Sequence, residues 1–292
     1  MIFSALIHDV DHTGVPNTTL IEENKALASV YHSKSVAEQN SIELSWDLLQ
    51  EDQFKDLRAC IYSAEDEFYR FRQLVTQAVL ATDIADKELK VLRNSRWENA
   101  FADVKREENP RDTQNRKATI VIEHLIQASD VAHTMQHWHV YRKWNECFFK
   151  ECYQAFQDGR AKEDPSEGWY QGELGFFDFY IIPLAKKLKK CGVFGVSSDE
   201  YLNYATKNRQ EWSDRGKEIV EEMKNAVLSQ EKNAAPFYTG IDERSKHDRP
   251  FFRPEESSNH SHPTESQKIP ENFSGVLVRA SEAATTDRFS ES

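Results

Sequence analysis

The stretch His8-Asp9-Val10-Asp11-His12-Thr13-Gly14, HDVDHTG, follows the apolar run Ile2-Phe3-Ser4-Ala5-Leu6-Ile7 almost at the start of the chain. Four ionisable residues in five positions are costly to bury unless something pairs with them. Read as the end of a helix over 1–12, the segment places His8 and His12 one turn apart on one face, with Asp9 beside them. Two imidazoles and a carboxylate then converge on one point, a donor set that suits zinc and other divalent metals. Phe3, Leu6, Ile7 and Val10 would cover most of that helix and bury part of the cluster. The plainer alternative is a pair of surface histidines on an amphipathic helix.

Outward from this stretch, helical periodicity dominates to about residue 230 and alternating β-branched runs are nearly absent, which predicts an all-α fold. Helices are expected over 1–12, 18–31, 34–50, 53–62, 66–93, 115–133, 136–158, 169–190 and 198–229. Asn17-Thr18-Thr19 and Asp112-Thr113 supply start signals, and Gly159 and Gly192 supply stops. From Gln230 onward Ser, Glu, Asn, His and Pro take over, so residues 230–292 are expected to form a disordered tail in which His247, His260 and His262 are solvated rather than metal-binding.

With 49 Asp and Glu against 37 Lys and Arg, the 292-residue chain carries a net charge of -12, which argues against nucleic acid or anionic lipid as a partner. No run approaches the roughly 20 apolar residues of a membrane span. Cys60, Cys147, Cys152 and Cys191 form no CxxC pair, which favours a reducing compartment without disulfides or a cysteine zinc site. Lys186-Lys187-Leu188-Lys189-Lys190 reads as a solvated face near a helix C-terminus. His137 and His139, two apart on a helix, should face away from each other.

Two further carboxylates stand in apolar surroundings: Asp83 in Val79-Leu80-Ala81-Thr82-Asp83-Ile84, and Asp130 in Ile126-Gln127-Ala128-Ser129-Asp130-Val131. Each needs a cation or hydrogen-bond donors, and an Arg or Lys from another helix serves as well as a metal. Taken in order, Ser4 to Asn17, Val36-Ala37-Glu38-Gln39, Ala81-Thr82-Asp83-Ile84, Ala128-Ser129-Asp130-Val131 and Glu173-Leu174-Gly175-Phe176-Phe177-Asp178-Phe179 with Pro183-Leu184 resemble the catalytic domain of class I 3′,5′-cyclic nucleotide phosphodiesterases, within the HD-type metal hydrolases. The resemblance covers residues 1–229, the expected domain, and leaves the tail unexplained.

That resemblance implies a compact multi-helix domain hydrolysing cGMP or cAMP to the 5′-monophosphate with water activated by two divalent ions, Zn2+ and Mg2+ or Mn2+. It makes His8, Asp9 and Asp130 metal ligands. It places His12, Glu38 and Asp83 around the ligands as catalytic residues, and Glu173, Phe176 and His133 against the substrate. Glu173 stands where the family generally has glutamine. As an acceptor it favours the donor edge of guanine, unless it is protonated or paired with a Lys or Arg. His133 replaces a frequent asparagine, and Asn40-Ser41 a frequent His-His.

The family's HNxxH helix, with another metal-binding histidine and the expected general acid, has no counterpart in this sequence, where Met1 precedes His8 by seven residues. The expectation is a part of a longer, cytoplasmic protein, whose other segments can include regulatory, cyclase or membrane-anchoring domains. The alternative is an inactive remnant serving as a regulatory or interaction module.

Overall fold

The computed structural model describes residues 1–101, 109–192 and 194–233. All the regular secondary structure of these residues is helical, as expected. From residue 234 onward the expected tail, including His247, His260 and His262, lies outside the described residues.

The N-terminal part comprises α1 (Ile2–Ile7), α2 (Asn17–Glu23), α3 (Lys25–Val30), α4 (Val36–Gln50), α5 (Lys55–Ile61) and α6 (Glu65–Leu80). After α7 (Lys87–Phe101), the long α8 (Pro110–Asp130) runs through the middle of the domain and touches α1, α6, α7 and α11. The C-terminal part consists of α9 (Trp138–Gln157), α10 (Pro165–Phe176), a π-helical turn (Phe177–Ile181), α11 (Ile182–Cys191) and α12 (Ser198–Asn233). Helices α9, α10 and α11 all pack on α12.

Sequence signals explain several boundaries. Pro110 and Pro165 begin α8 and α10 where no intrahelical N–H is required, and the side chains of Asn109 and Asp164 accept from the backbone N–H of Arg111 and Ser166. Gly159 (φ 73°) and Gly192 (φ 68°) end α9 and α11 in the left-handed region, as their positions suggested.

Other boundaries depart from expectation, and the departures position the site. The first helix stops at Ile7, so His8 to Gly14 is a sequence of turns, with Asp11 at φ 62°. His8 and His12 therefore do not share a helix face. The helix expected over 66–93 is broken at 81–86, where the Asp83 carboxylate accepts from the N–H groups of Ala85 and Asp86 and stabilises a turn. The segment expected as 115–133 begins earlier and ends at Asp130, followed by a 3-10 turn over Ala132–Met135. Helix α12 extends beyond 229 to Asn233.

Two cores hold these elements. Near the N-terminus, Phe3, Trp46, Phe68 and Phe71 form an aromatic cluster between α1, α4 and α6. The larger core surrounds fully buried Trp212, Tyr141, Phe149, Phe177 and Ile219, each side chain contributing roughly 1.5–3 kcal/mol by leaving water. Here α10 and α12 approach closely: Trp212 donates to the Tyr170 carbonyl and Tyr170 donates back to that of Ser213. A Cβ on Gly216 would lie 2.8 Å from the Tyr170 ring and 2.9 Å from that of Trp212.

On the other side of α8, His124 is buried against Trp97. Its Nδ1–H donates to Ile120, and its Nε2 accepts from Lys187. Burial lowers its pKa to about 4. Lys187 is thus an exception to the solvated lysine face expected for 186–190. It lies over Trp97 and donates to Asn94 and His124.

Two outcomes follow. Gly216→Val should destabilise the domain by about 1–3 kcal/mol in chemical denaturation, through overpacking between α10 and α12. Because unfolded His124 takes up a proton near its ordinary pKa of 6.5 and folded His124 only near 4, stability should fall as pH drops through that window. The slope from this group is at most about 1.4 kcal/mol per pH unit. His124→Gln should flatten it in acid-dependent melting.

Candidate active site

The end of α1 delivers His8 toward the C-terminal end of α8. His8 Nδ1–H donates to the Ala5 carbonyl at 2.9 Å, which fixes the tautomer and leaves Nε2 facing two carboxylates. Asp9 Oδ2 and Asp130 Oδ1 each lie 3.3 Å from that nitrogen, and one ligand atom from each of the three residues falls within 4.8 Å of the others. The hydrogen bond to Asp130, with the Asp9 charge nearby, holds the imidazole up at about 9 against the opposing effect of burial. This corner therefore attracts positive charge. One imidazole nitrogen and two carboxylate oxygens, with no lysine or arginine among them, fit a divalent cation. The group is less buried than expected: Leu6 is 77% exposed, Val10 37% and the Asp9 side chain 64%.

Polar contacts dock the turn on α4. The Ser41 hydroxyl donates to the Val10 carbonyl, and the Asn40 amide donates to Asp11. The family's frequent histidine pair is thus replaced by residues that anchor the HD turn. Arg160 holds the far end by donating to the Thr13 carbonyl while pairing with Glu23. His12 is exposed, and its Nδ1 accepts from the Gly14 N–H, so Nε2 carries the proton.

Glu38 and Asp83 come together in a neighbouring network. The Asn17 amide donates to Glu38 at 2.9 Å and to Asp83 at 3.4 Å, and its oxygen accepts from Ala37 N–H. Ser35 donates to Asp83 at 2.7 Å, and Arg93 donates to the Asp83 backbone carbonyl. Desolvation raises the Glu38 pKa, with the Asp83 charge adding to the effect. Sequence reasoning took Asn17 for a helix-start signal and missed its role as the link between these acids. Its place directly after Pro16, at the end of the HD run, was the available clue.

A cleft of about 790 Å³ is lined by Asp9, His12 and Asp130, by His133 from the 3-10 turn after α8, and by Glu173 and Phe176 from α10. Phe176 stacks on Tyr180 with ring centroids 5.4 Å apart. Glu173 accepts from the Tyr141 hydroxyl at 2.7 Å and from the Asn145 amide, whose oxygen accepts from Trp169 Nε1. No lysine or arginine forms an ion pair with Glu173 among the described residues, so burial raises its pKa. Tyr141 and Asn145, one turn apart on α9, are further residues that sequence reasoning missed. Burial also lowers the pKa of His133. Glu38 and Asp83 do not line the cleft.

His137 precedes α9, so it is not two helical positions from His139. Their rings lie 5.8 Å apart, contrary to expectation, and His137 also contacts the Tyr204 hydroxyl. The His8, Asp9 and Asp130 group remains the one cluster of three or more potential metal ligands among the described residues. The cysteines are free, and no described helix is long and apolar enough to cross a membrane.

Known proteins resemble this chain. The human dual specificity calcium/calmodulin-dependent 3′,5′-cyclic nucleotide phosphodiesterase 1B is 28% identical over 196 residues, covering 63% of this chain and 33% of that protein. The mouse 1C counterpart is 26% identical and is covered over 25% of its length. The chain thus spans about a third or less of these curated relatives. The crystal structure of the phosphodiesterase domain of Salpingoeca rosetta rhodopsin phosphodiesterase has the same fold, with a TM-score of 0.60 at 23% identity over 77% of this chain and 68% of that one. The family model for 3′5′-cyclic nucleotide phosphodiesterase matches residues 1–194, most of the chain, and on that match the chain belongs to the 3′5′-cyclic nucleotide phosphodiesterase family.

Proposed function

We propose that residues 1–229 form part of a catalytic domain that hydrolyses a 3′,5′-cyclic nucleotide to the 5′-monophosphate. The observation carrying this reading is that one cleft is lined both by two of the three candidate ligands, Asp9 and Asp130, and by Glu173 and Phe176. A phosphodiester with an attached base needs those two kinds of surface in one place.

In this reading His8, Asp9 and Asp130 hold a divalent cation, with zinc and a second ion, magnesium or manganese, as the family resemblance suggests. Bound there, the ions would neutralise phosphoryl oxygens and make a water acidic enough to attack at neutral pH. The chain's own side chains orient the substrate. His12 presents its Nε2–H as a donor for a phosphoryl oxygen. Phe176, supported by Tyr180, offers an aromatic face for the base, and His133 closes part of the same wall. Asn17, Ser35 and the turn at 81–86 hold Glu38 and Asp83 together, and the resemblance makes these acids the support of the ligands. Attack of water on phosphorus breaks the bond to the 3′ oxygen, which takes up a proton. The family resemblance assigns that proton to the HNxxH histidine, which has no counterpart in this sequence.

Glu173 sets the base preference. Tyr141 occupies one of its oxygens, and the ionised carboxylate offers only acceptors. Guanine presents N–H donors on its N1 and N2 edge, so cGMP is the favoured substrate.

Both parts are testable. Calorimetric titration of the chain with Mn2+ or Zn2+ should show binding that Asp130→Ala weakens by about 10–100-fold or abolishes. Hydrolysis of cGMP and cAMP should be assayed with this chain and with any longer product that contains it. Glu173→Gln, which restores the family's amide, should shift the cGMP to cAMP ratio toward cAMP by roughly tenfold. If no form hydrolyses either nucleotide with metal present, the enzymatic reading falls. If the ratio does not move, the base assignment alone falls.

A further inference from the structure

A second, smaller cavity lies between α7, α8 and α11, and none of the candidate ligands lines it. It encloses about 90 Å³, room for more than one water. Its polar lining includes Lys90, Arg93, Asn94, His124, Tyr180 and Lys187, and no carboxylate. In a chain with a net charge of -12, three cations around one small space are an unusual concentration.

The contacts of these cations within the chain are with neutral groups. Arg93 is only 7% exposed and donates to the Asp83 backbone carbonyl. Lys187 donates to Asn94 Oδ1 at 2.6 Å and to His124 Nε2 at 3.2 Å. His124 is held neutral by burial, with the Lys187 charge adding to the effect, and its Nε2 accepts from Lys187. The Tyr180 hydroxyl is buried and makes no hydrogen bond among the described residues. Carboxylates exist nearby, yet the closest on α8, Glu123, pairs with Arg96 at 2.8 Å, while Asp83, Asp86 and Glu98 act only as more distant charges on Arg93 or Lys187. Desolvation disfavours the charged forms of both Arg93 and Lys187, so burying them here without an anion costs stability.

We infer that this cavity is a binding site for a small tetrahedral oxyanion of the phosphate class. Such an ion fits the space and can accept from Lys187 and Arg93, with Lys90 at the exposed rim. A nucleoside is too large to enter, so a phosphate ester could place only its phosphoryl group inside. The site shares Ile84 with the large cleft, and Arg93 links it to the backbone of Asp83. It does not depend on the phosphodiesterase reading.

Equilibrium dialysis with radiolabelled inorganic phosphate, at fixed ionic strength and with EDTA present, tests this assignment. Saturable binding is expected for the unaltered chain and for Asp130→Ala. Lys187→Met should weaken it by at least about tenfold, as loss of a charge-assisted hydrogen bond implies. Lys90→Gln, at an exposed position, should weaken it with no change in the melting curve, and it decides the matter if Lys187→Met does not fold. Competition by guanosine monophosphate in Asp130→Ala would show that the site accepts esters, and its failure would restrict the site to the inorganic ion. Absence of saturable binding overturns the assignment. So does binding that Asp130→Ala abolishes and the lysine variants leave intact, since the phosphate would then occupy the large cleft.

Discussion

Carboxylates held together without a lysine or arginine partner are the constraint on which this molecule's organisation depends. Asp9, Asp130, Glu38, Asp83 and Glu173 make no ion pair with a lysine or arginine among the described residues, and each is stabilised differently. Asp9 and Asp130 meet the imidazole of His8. Asp83 takes up hydrogen bonds from Ser35, Asn17 and two backbone N–H groups, and Glu38 shares the Asn17 amide. Glu173 relies on Tyr141 and Asn145. Around Asp83, Glu38 and Glu173, neutral donors satisfy the carboxylate without cancelling its charge, so these acids keep a negative potential that cationic partners would have quenched.

Much of the architecture exists to meet those demands. Asn17 can reach both acids because α2 begins there and α4 begins beside it, its own N-terminal N–H at Ala37 satisfied by the same side chain. The chain break at 81–86 lets Asp83 turn inward, where an uninterrupted helix would have left its carboxylate on the rod. Lysines and arginines are placed elsewhere: Arg160 braces the loop after the HD turn, and Arg93 grips the Asp83 backbone rather than its charge.

The helical class was legible in the sequence because periodicity carries it; residue type pointed to His8 and Asp9 as candidate ligands, and the family resemblance supplied the order of the landmarks and Asp130. The geometry of His8 to Gly14 was not. Apolar spacing continues through Val10, but Ser41 captures the Val10 carbonyl and Asp11 adopts a positive φ, which are tertiary facts that local pattern does not encode. His8 and Asp130 still converge, although the expected helix face is absent: they meet across 122 positions, through the packing of α1 on α8. The Tyr141 clamp on Glu173 was invisible for the same reason, since it joins two helices 32 positions apart. Lys187 looked like one of four solvent-facing lysines because charge composition does not reveal which member of a run turns toward Trp97.

The π-helical turn over Phe177–Ile181 joins α10 to α11 without a loop, so both behave as a single rod with one widened turn. Such a turn holds one residue more than an α-turn of the same rise. In register terms, winding the same residues as an unbroken α-helix would rotate everything downstream by about 100°. Glu173 and Phe176 would keep their places on the upstream half, while Leu184 and Leu188, now buried, would swing toward solvent. The widened turn therefore acts as a phase shifter that lets one continuous helix satisfy two walls whose spacings are incommensurate with an ordinary α-helical repeat.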